Sequence, residues 1–594
     1  MELGNIINLK NLYSQEKPDI TKLLEGFERS DLLAILFSIN TELYINFEDN
    51  FDDVDKGLIA HFLSVVEENW KYDFLLRYAR FIKERSPTKC IIFNQKVTLK
   101  FIQFVLLNID IKQTRQYNAR IDDLNFLKAY LYFNQIEEEE FSEYLNIPEI
   151  IEIDHINFYK WHWSLLIQQY EYFTRKNPIL QLIFGTVSLF SLIEKTEYQI
   201  FVRDFLQSND SKNFFEYTHF VINHIVNLSN KELNYFNRFF LKVTDDFSGR
   251  YFYDLITIEE RELLENDELQ ISFKGLKSKP LFKLNEFTYG VIDWNFFAKK
   301  AFDSLFFDLF NKTSIKDEFN NNFPNFKSQV IGKLIEKEIF SPLIYFIFNN
   351  KQRVLNSDYS DKQSKNISYP DYYVRIRNGI YLFEFKSCSF KGAVKDAPTY
   401  IDIKDEIDSK INQYKGPSNT KKVGSGQLFD QIKNLSIKPF EFDDFVKLGI
   451  KYQNLKIYPI LVVEDESFAI PGVNHYINSE FKTKMEELSS ITLKVENITI
   501  MSLEFIFSNI LSLRDNAKDL FNLLENYHKL IEHNTGRLNK KALPNTKEYH
   551  KIYQNFESYY SSKFPLKGKD PRFVSALFEI YNIQKIANKY LPNN

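Results

Sequence analysis

The spacing of hydrophobic residues predicts helices through most of residues 1–270. Apolar side chains recur every three to four positions in runs such as 20–39 and 56–84, with charged side chains between them. One apolar stripe per helix is the pattern of an amphipathic helix that packs against a core. We therefore expect residues 1–270 to form a mostly helical region that acts as a sensor or scaffold.

The pattern changes at residues 271–320. Residues near 272–293 predict a short β element, and a helical run follows it. The polar stretch 314–326, which contains Pro324, interrupts the helical spacing and predicts a domain boundary. We expect 271–320 to connect the helical region to a second domain.

Residues 369–386 read YPDYYVRIRNGIYLFEFK and predict a tight β-hairpin. The flanking runs are rich in β-branched and aromatic residues, which strands favour. Asn378-Gly379 is a preferred pair for a two-residue type I′ turn, because both central residues need a positive φ. With that turn, Arg377 faces Ile380.

The same register pairs Tyr373 with Glu384 and Asp371 with Lys386. Directly opposed residues share one face of a sheet, and so do residues two apart on one strand. Asp371, Glu384 and Lys386 should then lie on one face within side-chain reach of each other. The aromatic residues between them should point into a core.

Two carboxylates and an ammonium in this arrangement can hold a divalent metal ion beside a phosphodiester. Mg²⁺ prefers oxygen ligands and commonly takes one or two carboxylates together with substrate phosphate oxygens. A bound metal polarises the phosphoryl group and helps to form hydroxide from water. A nearby lysine can orient that water or offset charge that develops on the phosphate.

Pro370-Asp371 followed by Glu384-Phe385-Lys386 resembles the PD-(D/E)XK nuclease superfamily, which has the restriction-endonuclease-like fold. The resemblance implies that Asp371 and Glu384 are metal ligands and that Lys386 is the catalytic lysine. It adds the main-chain carbonyl of Phe385 as a further ligand. It also implies Mg²⁺ or Mn²⁺ as cofactor and products with a 5′-phosphate and a 3′-hydroxyl.

Upstream of the hairpin, residues 326–348 have helical spacing. The family often places a glutamate on such a helix, a few residues after a glycine. Gly332 therefore favours Glu336 over Glu338, and Glu336 would complete the site or hold a second ion.

Downstream, a helix is predicted to open at Gly424, after a long polar insertion. Some branches of the family carry a glutamine there, and Gln427 is the nearest match, with Gln431 one turn further on. Residues 457–463 predict a buried strand, and 491–511 predict a strand and a helix. Together these elements follow the αβββαβ order of the family, so we expect a nuclease domain over residues 321–515.

The tail, residues 516–594, is basic: from residue 517 it has 13 Lys and Arg against 7 Asp and Glu. Its aromatic residues recur at spacings of three and four, which suits one face of a core helix. A surface that contacts nucleic acid, with lysines on phosphates and rings on bases, is the alternative. The aromatic residues in question are Tyr549, Tyr553, Phe556, Tyr560 and Phe564.

Composition limits the remaining choices. The chain has 594 residues and a net charge of −5, so a surface for nucleic acid must be local. Its two cysteines, Cys90 and Cys388, argue against a disulfide framework and suit the cytoplasm. The longest apolar stretch, 179–193, is too short to span a bilayer and predicts a buried helix, not a membrane anchor. No GxxxxGK[ST] sequence occurs, so a P-loop ATPase is not expected.

We therefore expect a multi-domain α+β protein: a large helical N-terminal half, an αβββαβ restriction-endonuclease-like core and a helical tail. We expect it to function as a metal-dependent endonuclease with DNA as its substrate. Bacterial restriction or anti-phage defence is an expectation by analogy with other chains that pair this domain with a helical sensor.

Two alternatives stay open. One is an RNA or tRNA nuclease. The other is a non-catalytic scaffold, in which the αβ domain only binds nucleic acid and the helical half recruits a partner such as a separately encoded ATPase. Self-association into a homo-oligomer is open in each case.

Overall fold

In the computed structural model, most of the described chain forms helices, with small sheets between them. The described residues are 5–13, 17–46, 51–85, 90–108, 111, 113–145, 158–172, 177–228, 239–243, 249–348, 353–356, 368–413, 422–443, 450–488, 493–537, 546–565 and 570–590. The predicted α+β class is confirmed.

The chain divides into two units where the sequence predicted four regions. Unit 1 comprises Met1–Asn146, Glu171–Leu189 and Glu197–Ile315, and unit 2 comprises Ile147–Tyr170, Phe190–Thr196 and Lys316–Asn594. The division after Ile315 lies inside the predicted boundary 314–326. The predicted connector belongs almost entirely to unit 1, and the tail belongs to unit 2.

Unit 1 is mainly helical. Its helices are Leu9–Tyr13, Ile20–Leu24, Arg29–Ile45, Phe51–Phe62, Glu68–Arg85, Gln95–Leu107, Ala119–Leu145, Gln199–Ser208, Phe214–Asn227, Arg250–Leu255, Glu260–Glu265, Asp267–Gln270, Lys274–Ser278, Trp294–Lys299 and Leu305–Lys312, with a 3₁₀ turn at Ile271–Phe273. Asn5–Ile6 and Cys90–Ile91 form a parallel pair, and Phe240–Lys242, Leu281–Asn285 and Thr288–Val291 form an antiparallel sheet. The predicted β element near 272–293 is part of that sheet.

Each of the two clearest helical runs in the sequence holds two helices. The run 20–39 covers Ile20–Leu24 and part of Arg29–Ile45, and the run 56–84 covers parts of Phe51–Phe62 and Glu68–Arg85. Their inward side chains form one apolar core.

The apolar stretch 179–193 lies in the helix Pro178–Lys195, which continues across the division between the units. Among the described residues it is the one helix long and apolar enough to cross a membrane, and 67% of it is buried. That burial agrees with the predicted buried helix.

Unit 2 contains a six-stranded mixed sheet. In chain order its strands are β1 (Arg353–Asn356), β2 (Tyr372–Ile376), β3 (Gly379–Lys386), β4 (Lys456–Val463), β5 (Lys494–Val495) and β6 (Thr499–Ser502). β1, β2 and β3 are antiparallel neighbours, and β4 lies parallel to β3 on one side and to β5 and β6 on the other. The carboxyl ends of β3, β4 and β6 therefore meet at one edge, where Lys386, Val463 and Ser502 are in register.

Unit 2 also contains helices. They are Phe158–Tyr172, Ile315–Glu318, Gly392–Asp396, Tyr400–Lys410, Ser425–Ile437, Val473–Glu486, Leu503–Ser508, Ile510–Asp515, Leu520–Gly536, Thr546–Ile552, Phe556–Lys563, Arg572–Ile580 and Ile583–Tyr590. A further run, residues 323–347, is named the site helix here; it comprises Phe323–Phe326, Lys327–Ile331, Gly332–Leu334, Ile335–Phe340 and Ser341–Ile347. Short pieces complete the unit: Asn412–Gln413, Val423–Gly424, Tyr452–Asn454 and Glu466–Ala469.

The predicted hairpin forms, but its turn lies one residue earlier than predicted. Ile376 pairs with Gly379, so the central residues are Arg377 and Asn378, and Arg377 takes the positive φ of 54°. Gly379 lies in the strand, where a Cβ atom would lie 3.3 Å from the Tyr458 ring on β4, a close approach that favours glycine. Sheet packing thus takes this glycine away from the turn.

The displaced turn changes which residues are opposed. Tyr373 faces Leu382 instead of Glu384, and continuing the register beyond β2 puts Asp371 opposite Glu384 instead of Lys386. A slip by one residue would move side chains to the other face, but here the pairing moves by two, so each residue keeps its predicted face.

Both faces of the hairpin are covered. Tyr373 and Leu382 join the core that includes Leu428 from the helix Ser425–Ile437. On the opposite face, Phe385 stacks on Phe340 of the site helix with ring centroids 5.0 Å apart. The predicted core position of the alternate aromatic residues is confirmed.

The aromatic stripe of the tail is also core. Tyr549, Tyr553, Phe556 and Tyr560 are buried. Tyr549 and Tyr553 belong to the same apolar cluster as the sheet residues of unit 2. These four rings are therefore part of the core, whereas Phe564, the fifth residue of the stripe, is half-buried.

Candidate active site

The hairpin brings Asp371 to the end of β3. Its Oδ2 accepts a hydrogen bond of 2.7 Å from the main-chain N–H of Phe385. Because Phe385 lies between Glu384 and Lys386, this bond fixes the aspartate beside both of them. The three predicted residues are thus brought together at the carboxyl end of one strand.

Glu384 is fully buried and both of its oxygens have partners. Lys386 Nζ donates to Oε1 at 2.8 Å, and Gln431 Nε2 donates to Oε2 at 2.7 Å. The same Gln431 group approaches the carbonyl of Tyr369 at 3.2 Å. A buried carboxylate needs such compensation, because an unpaired charge in the interior is costly.

The position of the functional glutamine differs from the prediction. Gln427 lies in the first turn of its helix, where its Oε1 accepts from the N–H of Gly424 and caps the helix end. Gln431, one turn later, shares the buried helix face with Leu428 and Leu435 and therefore points at the sheet. Gln427 is a capping residue, and Gln431 is the glutamine of this helix that bonds Glu384.

Gly332 lets the site helix approach the end of β3. A Cβ atom at this position would lie 3.2 Å from Cβ of Ser387, the residue after Lys386. Glu336 follows one turn later, and the hydroxyl of Tyr372 reaches its carbonyl at 3.4 Å. Glu338 pairs with Lys195, whereas the charge of Glu336 acts on Asp371; the choice of Glu336 stays a prediction.

Two wide turns shape the site helix. The N–H of Gly332 donates to the carbonyl of Lys327, and the N–H of Ser341 donates to that of Glu336, each bond spanning five residues. Such a π-turn takes about one residue more than an α-turn. Pro342 accounts for the second one, because it has no N–H and its ring crowds the preceding turn.

Carboxylates dominate the electrostatics of the site. Burial raises the pKa of Asp371 well above its usual value, and the neighbouring charges of Glu384 and Glu336 raise it further, against the opposing effect of Lys386. For Lys386, burial works against the ammonium, but Glu384 and Asp371 outweigh it and raise the pKa. These shifts favour the charged form of Lys386 and the protonated form of Asp371.

These charges fit a divalent cation. With every group ionised, Asp371, Glu384, Glu336 and Lys386 carry three negative charges and one positive charge, an excess that one Mg²⁺ would neutralise. The donors are carboxylate oxygens, which Mg²⁺ prefers. Within the described part of the chain, no group of three or more His, Cys, Asp or Glu side chains is already arranged around one point as metal ligands.

A second charged cluster borders the site and was missed in the sequence. Lys327 Nζ lies 3.3 Å from Glu464 and 3.1 Å from the hydroxyl of Ser389, and the hydroxyl of Ser387 also donates to Glu464. The N–H of Glu464 bonds the carbonyl of Lys386 at 3.0 Å. Glu464 follows the buried strand predicted at 457–463, and the rule that polar groups gather at the carboxyl ends of parallel strands could have found it.

Searches of family models, curated proteins and solved structures found no match to this chain.

Proposed function

We propose that this protein is a Mg²⁺-dependent nuclease whose active site is formed by Asp371, Glu384 and Lys386, assisted by Glu336 and Gln431. The observation that carries the proposal is the fully buried Glu384, held between Lys386 and Gln431 with Asp371 alongside. A structural ion pair does not require a second carboxylate, Asp371, beside it, where the two negative charges repel each other.

The order of elements supports the proposal. A helix, three antiparallel strands, a helix and a parallel strand occur in this order as the site helix, β1 to β3, Ser425–Ile437 and β4. That is the αβββαβ order of the PD-(D/E)XK superfamily, which the sequence motif resembles. Two further helices, Gly392–Asp396 and Tyr400–Lys410, are inserted before Ser425. The motif residues lie at the end of β3, where that family places its catalytic residues.

Each side chain has a task in this proposal. Asp371 and Glu384, with Glu336 and the Phe385 carbonyl, would hold Mg²⁺, which would supply a Lewis acid beside the scissile phosphate. Lys386 would orient the attacking water and offset charge on the phosphate. Gln431 fixes the carboxylate plane of Glu384, so that the oxygen facing Lys386 keeps its direction.

Metal binding requires a proton to leave the site. Burial and the charges of Glu384 and Glu336 raise the pKa of Asp371 and so favour its protonated form. A cation reverses that preference, since it favours every carboxylate oxygen around it. We therefore expect Mg²⁺ to bind more tightly as the pH rises and to release a proton on binding, which calorimetry in buffers of different ionisation enthalpy would measure.

The direct test is cleavage of supercoiled plasmid, single-stranded DNA and RNA with Mg²⁺ and with EDTA. We expect Mg²⁺-dependent cutting, and a loss of about 100-fold or more in Asp371→Asn, Glu384→Gln and Lys386→Met. Glu338→Gln is the matched control, because this glutamate is on the same helix and pairs with Lys195 instead.

Two results would overturn the assignment. Cutting that survives the three substitutions would place the activity elsewhere. Binding of nucleic acid that the substitutions leave unchanged, with no cutting under any metal, would make the domain a scaffold. If only RNA is cut, the assignment of the active site would stand and the substrate would be RNA instead of DNA.

A further inference from the structure

The helix Glu68–Arg85 of unit 1 is apolar on two opposite sides. Its inward side carries Phe74 and Phe81, which are buried in the core of the unit. Arg77 ties the helix to its own unit by donating a hydrogen bond of 3.0 Å to the carbonyl of Leu12. An amphipathic helix needs only this one apolar face to pack on its own domain.

The outward side of the same helix is apolar as well. Tyr72 is 69% exposed, Leu76 46% and Leu75 41%. With the exposed Ala79 they stand at positions i, i+3, i+4 and i+7, so they form one continuous stripe. Scattered exposed apolar residues are ordinary, but a contiguous stripe marks an interaction surface.

Charged residues extend the stripe at both ends. Glu68 lies on it at the N-terminal end, and Lys83 lies on it at the C-terminal end. Glu68 is 87% exposed, with Lys71 of the same helix 3.6 Å away. Lys83 is exposed. The stripe is therefore acidic at one end, apolar in the middle and basic at the other.

This order is complementary to itself when reversed. If two copies of the helix lie antiparallel with Leu75 against Leu76, then Tyr72 meets Ala79 and Glu68 meets Lys83. A large ring faces a small side chain, and each carboxylate faces an ammonium. A twofold axis produces each of these contacts twice, as an isologous interface requires.

We propose that the protein forms a homodimer through antiparallel pairing of Glu68–Arg85 across a twofold axis. A parallel pair would bring Glu68 against Glu68 and Lys83 against Lys83, which is repulsive. The inference stands on unit 1 alone and does not depend on the proposed nuclease activity.

Sedimentation equilibrium of the full chain tests the dimer. We expect wild type to be a dimer, and Leu75→Glu with Leu76→Glu to be a monomer with an unchanged circular dichroism spectrum. Leu264→Glu is the matched control, since Leu264 is 42% exposed on another helix of unit 1. It should leave the dimer intact.

A charge reversal tests the pairing itself. Glu68→Lys or Lys83→Glu alone should weaken the dimer about tenfold, because each change turns two attractive pairs into two repulsive ones. The two changes combined in one chain should restore it. No occupant other than a second copy predicts that restoration.

Cysteine crosslinking tests the direction of the helices. Leu75→Cys lies next to the axis and should crosslink between copies under oxidation. Lys83→Cys should not, because the two positions lie about 22 Å apart along antiparallel helices with a rise of about 1.5 Å per residue. A monomeric wild type, a dimer that survives the paired glutamates, or crosslinking through Lys83→Cys would each overturn the proposal.

Discussion

Replacing Lys386 by methionine removes the ammonium from a buried pair and keeps most of the volume. The side chain of Glu384 is 1% exposed and that of Lys386 is 18% exposed, with 2.8 Å between the charged atoms. Removing one partner of a buried pair costs about 3–5 kcal/mol. Gln431 still donates to Glu384, and Lys386 has some access to solvent, so we expect the lower end, about 3 kcal/mol.

Urea denaturation in EDTA, followed by circular dichroism, measures this cost. Adding Glu384→Gln removes the stranded charge, so the double variant should recover most of the lost stability. It should still fail to cut nucleic acid.

A surface lysine is the control for this experiment. Lys333 is exposed on the site helix, and Lys333→Met should change the unfolding free energy by less than about 0.5 kcal/mol. If Lys386→Met behaves like Lys333→Met, or if the double variant is less stable than the single one, the reasoning about a buried, compensated Glu384 is wrong.

Three further predictions follow from the same structure. Gln431→Leu should lower the free energy of unfolding by about 2 kcal/mol and remove most of the cutting activity, because it takes a hydrogen bond from a buried carboxylate. Gln427→Ala should lose only its helix cap, about 1 kcal/mol or less. Denaturation and cleavage assays compare the two variants. Asp371→Asn should cut nothing and should melt at a higher temperature than wild type in EDTA. The pKa of Asp371 is raised in the folded protein, so the stability of wild type falls as the pH rises above about 3.9 through that pKa. Melting curves across pH should show a smaller fall in the variant. Burial raises the pKa of Glu557 from 4.5 to about 7, so wild type should lose stability between those pH values, and Glu557→Gln should lose less; identical pH profiles would contradict it.

The hairpin shows how far local sequence rules reach. Two runs rich in β-branched and aromatic residues, joined at Asn378-Gly379, were enough to predict two strands and the face that each side chain occupies. The predicted turn was misplaced because Gly379 packs closely against Tyr458, which lies 79 residues further along the chain. Local propensity cannot see such a contact, but the even shift of register kept Asp371 and Glu384 on one face.

The glutamine and the domain division were missed for different reasons. Gln431 was visible in principle, because it lies at helical spacing with the buried Leu428 and Leu435, whereas Gln427 does not. The assignment of residues 147–170 and of the tail to unit 2 rests on contacts between segments that are distant in sequence. No periodicity within either segment encodes its partner.

The wide turns of the site helix have a consequence for tracing its evolution. Each one holds one residue more than an α-turn, so a chain that lacks one residue between Lys327 and Ile331 can close the wide turn to an ordinary one and keep the residues on either side in place. Glu336 would then keep its position relative to Asp371. Homologues with the same chemistry can therefore differ by one residue in length at this point, and a one-residue gap there would not by itself mark a lineage that has lost this carboxylate from its site.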